Sequence, residues 1–200
     1  MAKQKLPICF ISYCHDDADF PALEAFEEEI EKQISGAFRI VRDKSNISVG
    51  GLISDHEAEI HQADAVILIC TPKYNKKVKE RAGGVHREYG QILSRYQTYL
   101  DAVKNGNSPR PFALIPILFS GAHDSSIMSE ISDNLYLDFT KFRVVKGKSG
   151  KFEVPEFVQS QHRDIFHQIR SKLDGVRNGI EENFAKEYDY WLNLLFLEDR

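Results

Sequence analysis

The side chains of this 200-residue chain with a spacing suited to chemistry fall into a few groups. His56-Glu57-Ala58-Glu59-Ile60-His61 has the look of a metal motif. Its histidines are five apart, which sets them about 140° apart around a helix. Helical zinc sites of the His-Glu-x-x-His type need a spacing of four, so a solvated helix face is the better reading. Asp16 and Asp17 follow the first apolar run, as acidic pairs do in phosphate-receiver domains. Those domains also need an acidic residue after the third strand, and Cys70-Thr71 stands there. No Gly-rich phosphate or dinucleotide fingerprint is present.

Two groups remain. Lys73, Lys76, Lys77, Lys79 and Arg81 cluster around a single Glu80. They read as a solvated surface, or as a positive rim that steers an anionic ligand such as a dinucleotide. Glu88 falls within a helical pattern, about 80° from the centre of its apolar stripe, while Arg87 points away. It therefore sits at the edge of a buried face. There it is either a functional carboxylate or one paired with Arg87 or Lys73. Ser12, Tyr13, His15, Asp43 and Lys44 are the polar groups expected at nearby loop mouths, where turn and cap roles are the alternative.

The elements that would position these groups are legible from hydrophobic pattern. Pro7–Tyr13 and Ala65–Cys70 are near-continuous apolar runs, as in strands covered on both faces. Phe38–Val41, Phe112–Phe119 and Leu135–Phe139 are further strand candidates, with Pro116 marking a bulge or a nearby edge. Helical spacing is found over Pro21–Ile34, Leu52–Gln62, Val85–Val103 and Pro155–Leu173, with Gly175 placed to end the last of these. Val176–Glu198 then reads as a separate amphipathic helix with a stripe of Val176, Ile180, Phe184, Tyr188, Trp191 and Leu195. Phe142–Lys151 is a basic, Gly-containing turn or hairpin. Alternating strands and helices imply βαβ units, a mainly parallel sheet, and a ligand site beyond the carboxyl ends of its strands. The loops to watch are 14–20, 43–51 and 71–84.

Composition narrows the class. Hydrophobic residues are 42% and charged residues 28%, a globular balance. A formal charge of −4 argues against nucleic acid as the partner of the whole domain. Cys9, Cys14 and Cys70 have no metal-ligand spacing, which fits free thiols in a reducing, cytoplasmic compartment. No apolar stretch approaches the ~20 residues of a membrane span.

Several segments together resemble the Toll/interleukin receptor (TIR) family, in particular its SEFIR-like prokaryotic branch. Phe10-Ile11-Ser12-Tyr13 with His15-Asp16-Asp17 is similar to that family's first strand and the loop after it. Val41-Arg42-Asp43 with Ile47 and Gly50 resembles the second strand and the BB loop. Ala65–Tyr74 followed by Gly83-Gly84-Val85-His86-Arg87-Glu88 resembles the third strand and the following helix. Two positions where the family usually carries Trp hold Val41 and Gly84. The resemblance implies a flavodoxin-like, doubly wound sheet of five mainly parallel strands. It divides the chain into a TIR-like domain over 1–175 and a C-terminal helix over 176–200, acting as an interface or folding back.

The resemblance also implies function. Many prokaryotic and plant members cleave the nicotinamide–ribose bond of NAD+, and others are homotypic adaptors. In the enzymatic members a glutamate in the helix after the third strand is essential, and Glu88 matches it. The expectation is therefore a cytoplasmic NAD+ nucleosidase of prokaryotic antiviral defence or signalling. Glu88 would be catalytic, and Ser12, Tyr13, Asp43 and Lys44 would contact the substrate. NAD+ is consumed as substrate, with no metal and no further cofactor. Self-association would run through TIR surfaces and the terminal helix, with no membrane or nucleic-acid partner. The alternatives are a non-enzymatic interaction module and a nucleoside N-glycosidase of similar fold.

Overall fold

The computed structural model describes residues 5–16, 20–34, 36–42, 59–147 and 152–198, with side chains left aside at residue 20 and over 187–198. The chain runs β1 (Ile8–Ser12), α1 (Phe20–Ile34), β2 (Arg39–Arg42), β3 (Ala65–Cys70), α2 (Pro72–Lys79) and α3 (Gly83–Lys104). It continues with β4 (Ala113–Leu118), a short α4 (His123–Ser126) and β5 (Leu137–Asp138). A hairpin, β6 (Val145–Lys146) and β7 (Phe152–Glu153), leads into α5 (Glu156–Glu198). The five strands β1 to β5 form one parallel sheet in the order β2-β1-β3-β4-β5, the order of the flavodoxin-like fold that the resemblance implies.

Strand alternation divides the core in two. Cys9, Ile11 and Tyr13 of β1 and its extension, with Ala65, Ile67 and Ile69 of β3, meet α1 and α5 through Phe26, Ile30, Phe166, Ile169 and Leu173. Ile8 and Phe10, with Val66, Leu68 and Cys70, meet α2 and α3 through Tyr74, Val78, Val85, Tyr89 and Ile92. Every residue of β1 and β3 is buried, which is why both read as unbroken apolar runs.

Pro116 sits inside β4 without a bulge, opposite Leu68. The amides of Ala113 and Phe119 donate to the β3 side, at the carbonyls of Asp64 and Cys70. By alternation, position 116 faces the β5 side, and pairing with β5 begins only at Ile117. The missing N–H of Pro116 therefore removes no ladder bond.

Two expectations change. The stretch 71–84, read as a loop, contains α2. Thr71 is its N-cap, accepting from the Tyr74 amide at 3.1 Å, and Pro72 occupies its first turn. The helix end expected at Gly175 does not occur: α5 is a single 43-residue helix, and the boundary at 175/176 falls inside it. Gly175 costs a helix only about 1 kcal/mol. Arg170 and Arg177 both reach Asp174, at 3.6 Å each, and hold that turn. The stripe then divides: Val176 is buried, Ile180 packs against the core, and Phe184 is 62% exposed. Of the helix expected over 52–62, residues 59–62 are described and helical.

Candidate functional site

In this strand order the switch point lies between β1 and β3, and ligands bind beyond the carboxyl ends of those strands. The last residue of β1 there is Ser12, with no exposed surface. Its side chain points to the α2/α3 face, where Oγ donates to Glu88 Oε1 of α3. The Tyr74 hydroxyl of α2 lies 2.8 Å from the same Oγ. A serine hydroxyl has one proton, and here it goes to Glu88, so Tyr74 is the donor to Ser12. The result is a directed chain, Tyr74 to Ser12 to Glu88, drawing on three separate elements. Burial, then the neighbouring Glu88 charge, pushes the Tyr74 phenol well above its ordinary value, which keeps it a donor.

Glu88 is 8% exposed, so it lies further in than the edge position its helical angle suggests. It is in the second helix after β3, because α2 intervenes. That extra helix brings Tyr74 under Ser12 and carries the cluster of cations. Lys77 pairs with Asp16 at 2.5 Å, and Lys73 donates to the Asp16 carbonyl. The Lys77 hydrogen bond, more than its charge, holds the Asp16 carboxyl below its ordinary value. Lys76 reaches Glu80 at 3.8 Å. Part of the basic cluster thus ties α2 to the loop after β1.

Tyr13 follows Ser12 and, by alternation, points to the opposite face of the sheet. There it lines a cavity of about 530 Å³ at the carboxyl ends of β1, β3 and β4, with Ile69, Phe119, Phe142 and Arg143 among its walls. Ser12 and Glu88 do not line it. The structure thus brings Ser12 to Glu88 and separates Tyr13 from both. Asp43 and Lys44 lie outside the described residues. Tyr74 was missed as a site residue in the sequence reading. Its signal was the Thr71-Pro72 helix start, which puts Tyr74 in the first turn beneath the end of β1.

Cys9, Cys14 and Cys70 are buried free thiols. Burial pushes Cys9 and Cys70 up to about 12. Among the described residues no cluster of His, Cys, Asp and Glu is arranged to hold a metal ion, and no helix is long and apolar enough to cross a membrane.

A family model described as TIR domain matches residues 9–148. That span begins in β1 and ends after β6, so it contains all of the five-stranded sheet but Ile8, together with the Tyr74–Ser12–Glu88 chain. No curated protein matches the chain.

Proposed function

The chain belongs to the TIR domain family, and from that premise we infer that it is an NAD+ nucleosidase acting through Glu88. The observation that carries this reading is the buried Glu88 carboxylate, held by Ser12 at the switch point of the sheet. A carboxylate is worth burying only where hydrogen bonds fix it, and a fixed carboxylate beside a ligand-binding strand end suits one reaction class well.

In that reaction the bond between C1′ of the ribose and the nicotinamide nitrogen breaks. Its electron pair passes to the nicotinamide ring and cancels the positive charge there, so the leaving group needs no proton. Charge moves onto the ribose as an oxocarbenium-like centre, as in glycoside hydrolysis. Glu88 stabilises that charge and accepts from the ribose hydroxyls, while Ser12 donates to its Oε1 and Tyr74, donating to Ser12, holds that bond in place. Water adding at C1′ and losing a proton gives ADP-ribose. An internal or external nucleophile gives a cyclic or conjugated form. Asp43 and Lys44 are proposed to contact the nucleotide from the second strand's loop. The setting we propose is cytoplasmic defence or signalling, with the domain active in a self-associated form.

The test is incubation of concentrated protein with NAD+ and mass spectrometry of the products, beside a folded Glu88→Gln variant. Release of nicotinamide by the wild type alone is the expected result. Intact NAD+ in both samples rejects the enzymatic reading and leaves an interaction module. Equal turnover by both rejects the role of Glu88.

A further inference from the structure

The cavity on the far side of the sheet from Glu88 has no part in the chemistry above, and its walls are suited to a ligand. It occupies about 530 Å³, inside the range of roughly 300–1,000 Å³ typical of small-molecule sites. Tyr13, Phe119 and Phe142 give it aromatic walls, and Leu23 and Ile69 give it aliphatic ones. These walls are rigid: Phe142 packs edge-on to Phe26, Phe139 and Phe166 within the core. A planar ring entering here meets flat apolar surface rather than mobile side chains.

The cavity also carries one cation in a fixed position. Arg143 Nη1 donates to the carbonyls of Thr140 and Phe142, at 2.7 and 2.9 Å. Those bonds anchor the guanidinium on its own turn. Its Nε and Nη2 donors have no partner among the described residues, and the planar fork they form matches phosphate or carboxylate oxygens. Asp138, the nearest acid in sequence, is already engaged by the amide and hydroxyl of Thr140, at 2.9 and 2.7 Å. Those bonds hold the Asp138 carboxyl below its ordinary value. The hydroxyls of Ser120 and Thr140 stand on the same wall system.

The geometry points to a second site, distinct from Glu88, that takes a planar heteroaromatic anion of the nucleoside monophosphate class, its ring on the Tyr13, Phe119 and Phe142 surface and its phosphate on Arg143. Tyr13 in the cavity wall and Ser12 on Glu88 are consecutive residues that serve opposite faces of the sheet.

Calorimetric titration with AMP tests this without any turnover, so its outcome is separate from that of NAD+ cleavage. The probe set is AMP and adenosine, on wild type, Arg143→Gln, Ser120→Trp and Glu88→Gln, each checked for fold by circular dichroism. Arg143 and Ser120 are both exposed, so neither substitution opens the core. AMP is expected to bind wild type and Glu88→Gln alike, and adenosine more weakly. Loss of the phosphate contact in Arg143→Gln, and the blocked mouth in Ser120→Trp, should each weaken AMP by about tenfold or more. The proposal is overturned if AMP does not bind at about 1 mM, if either cavity variant keeps wild-type affinity, if adenosine binds as tightly as AMP, or if Glu88→Gln abolishes AMP binding.

Discussion

Ser12 donates its one hydroxyl proton to Glu88, a partner 76 residues further along the chain. The contact crosses from the end of β1 to the first third of α3, and both groups are buried. A hydrogen bond to a carboxylate is worth about 1.5–3 kcal/mol, more than a neutral one. Ser12→Ala should therefore lower kcat for NAD+ cleavage by roughly 10–100-fold with a smaller change in KM. Steady-state kinetics on the folded variant checks this. A change in KM alone would mean that Ser12 acts on binding and not on the carboxylate.

Tyr74 completes the chain and touches no substrate in the proposed mechanism, so it is a positioning residue. Tyr74→Phe keeps the ring, which packs on Tyr89 at 6.3 Å between centroids. It removes only the donor to Ser12. The expected outcome is a kcat loss smaller than that of Ser12→Ala and a stability cost of about 0.5–1.5 kcal/mol. Denaturant melts and kinetics on the same preparation separate the two effects.

Much of this was readable from the chain, and the exceptions have physical causes. The apolar runs 7–13 and 65–70 announced β1 and β3, because strands covered on both faces have no polar alternation to confuse them. The helical angle of Glu88 set it at the edge of a buried face, and it lies further in, at 8% exposed; its catalytic role was implied by the family resemblance alone. Tyr74 was not legible, because Lys73, Lys76, Lys77 and Lys79 swamp the apolar pattern of α2, and only the Thr71-Pro72 cap marks that helix. The fate of Tyr13 turned on strand alternation. Two adjacent polar residues at a strand end look like one site in sequence, yet they serve opposite faces. Gly175 misled because one glycine costs a helix only about 1 kcal/mol, and the buried Leu173 and Val176 with the Arg170–Asp174–Arg177 pairs hold the turn around it.

The buried thiols set an alkaline limit on stability. Cys9 and Cys70 rise from an ordinary 9.0 to about 12 in the folded protein, because burial disfavours the thiolate. A raised value means that the folded state holds its protons more tightly than the unfolded one. The associated stability is complete below pH 9.0 and is lost as pH climbs toward 12. The denaturation midpoint should fall across that window, and a Cys9→Ala, Cys70→Ala double variant should fall less steeply. Thiol counting should find all three cysteines unreactive until the chain unfolds.

Gly121 shapes the rim of the cavity from the β4–α4 turn. Its φ is +79°, and a Cβ there would lie 2.5 Å from Pro72 Cγ and 2.6 Å from Ser126 Oγ. Gly121→Ala is therefore penalised by the backbone and by the contact. Ser126 Oγ can rotate only by giving up its 2.7 Å bond to the Ser120 carbonyl. A loss of about 1–3 kcal/mol is expected, with the α2 side of the cavity displaced. Equilibrium unfolding measures the loss, and a variant as stable as wild type would show that the turn is not held as described.

The long α5 gives the sharpest contrast between buried and exposed positions on one element. Leu173 has no exposed surface and packs in the core between α1 and the sheet, whereas Phe184, eleven residues on, is 62% exposed. On the single helix, eleven residues amount to a net turn of about 20°, so one face carries both and helical angle alone assigns them equal weight. Burial does not: removing the Leu173 side chain leaves a cavity against Ile169 and Val176, at a cost of about 2–5 kcal/mol. Phe184→Ala removes a ring that covers little of this chain and should change the monomer's stability by only about 0.5 kcal/mol. Asn183 beside it reaches the Pro109 carbonyl at 3.4 Å, and Gly179 lies against Pro111, so the helix stays docked past Ile180 without Phe184. Paired denaturant melts of Leu173→Ala and Phe184→Ala at low concentration decide the matter. If the two lose stability equally, α5 is anchored beyond Ile180 far more firmly than its exposure indicates, and the division of the stripe at that point is wrong.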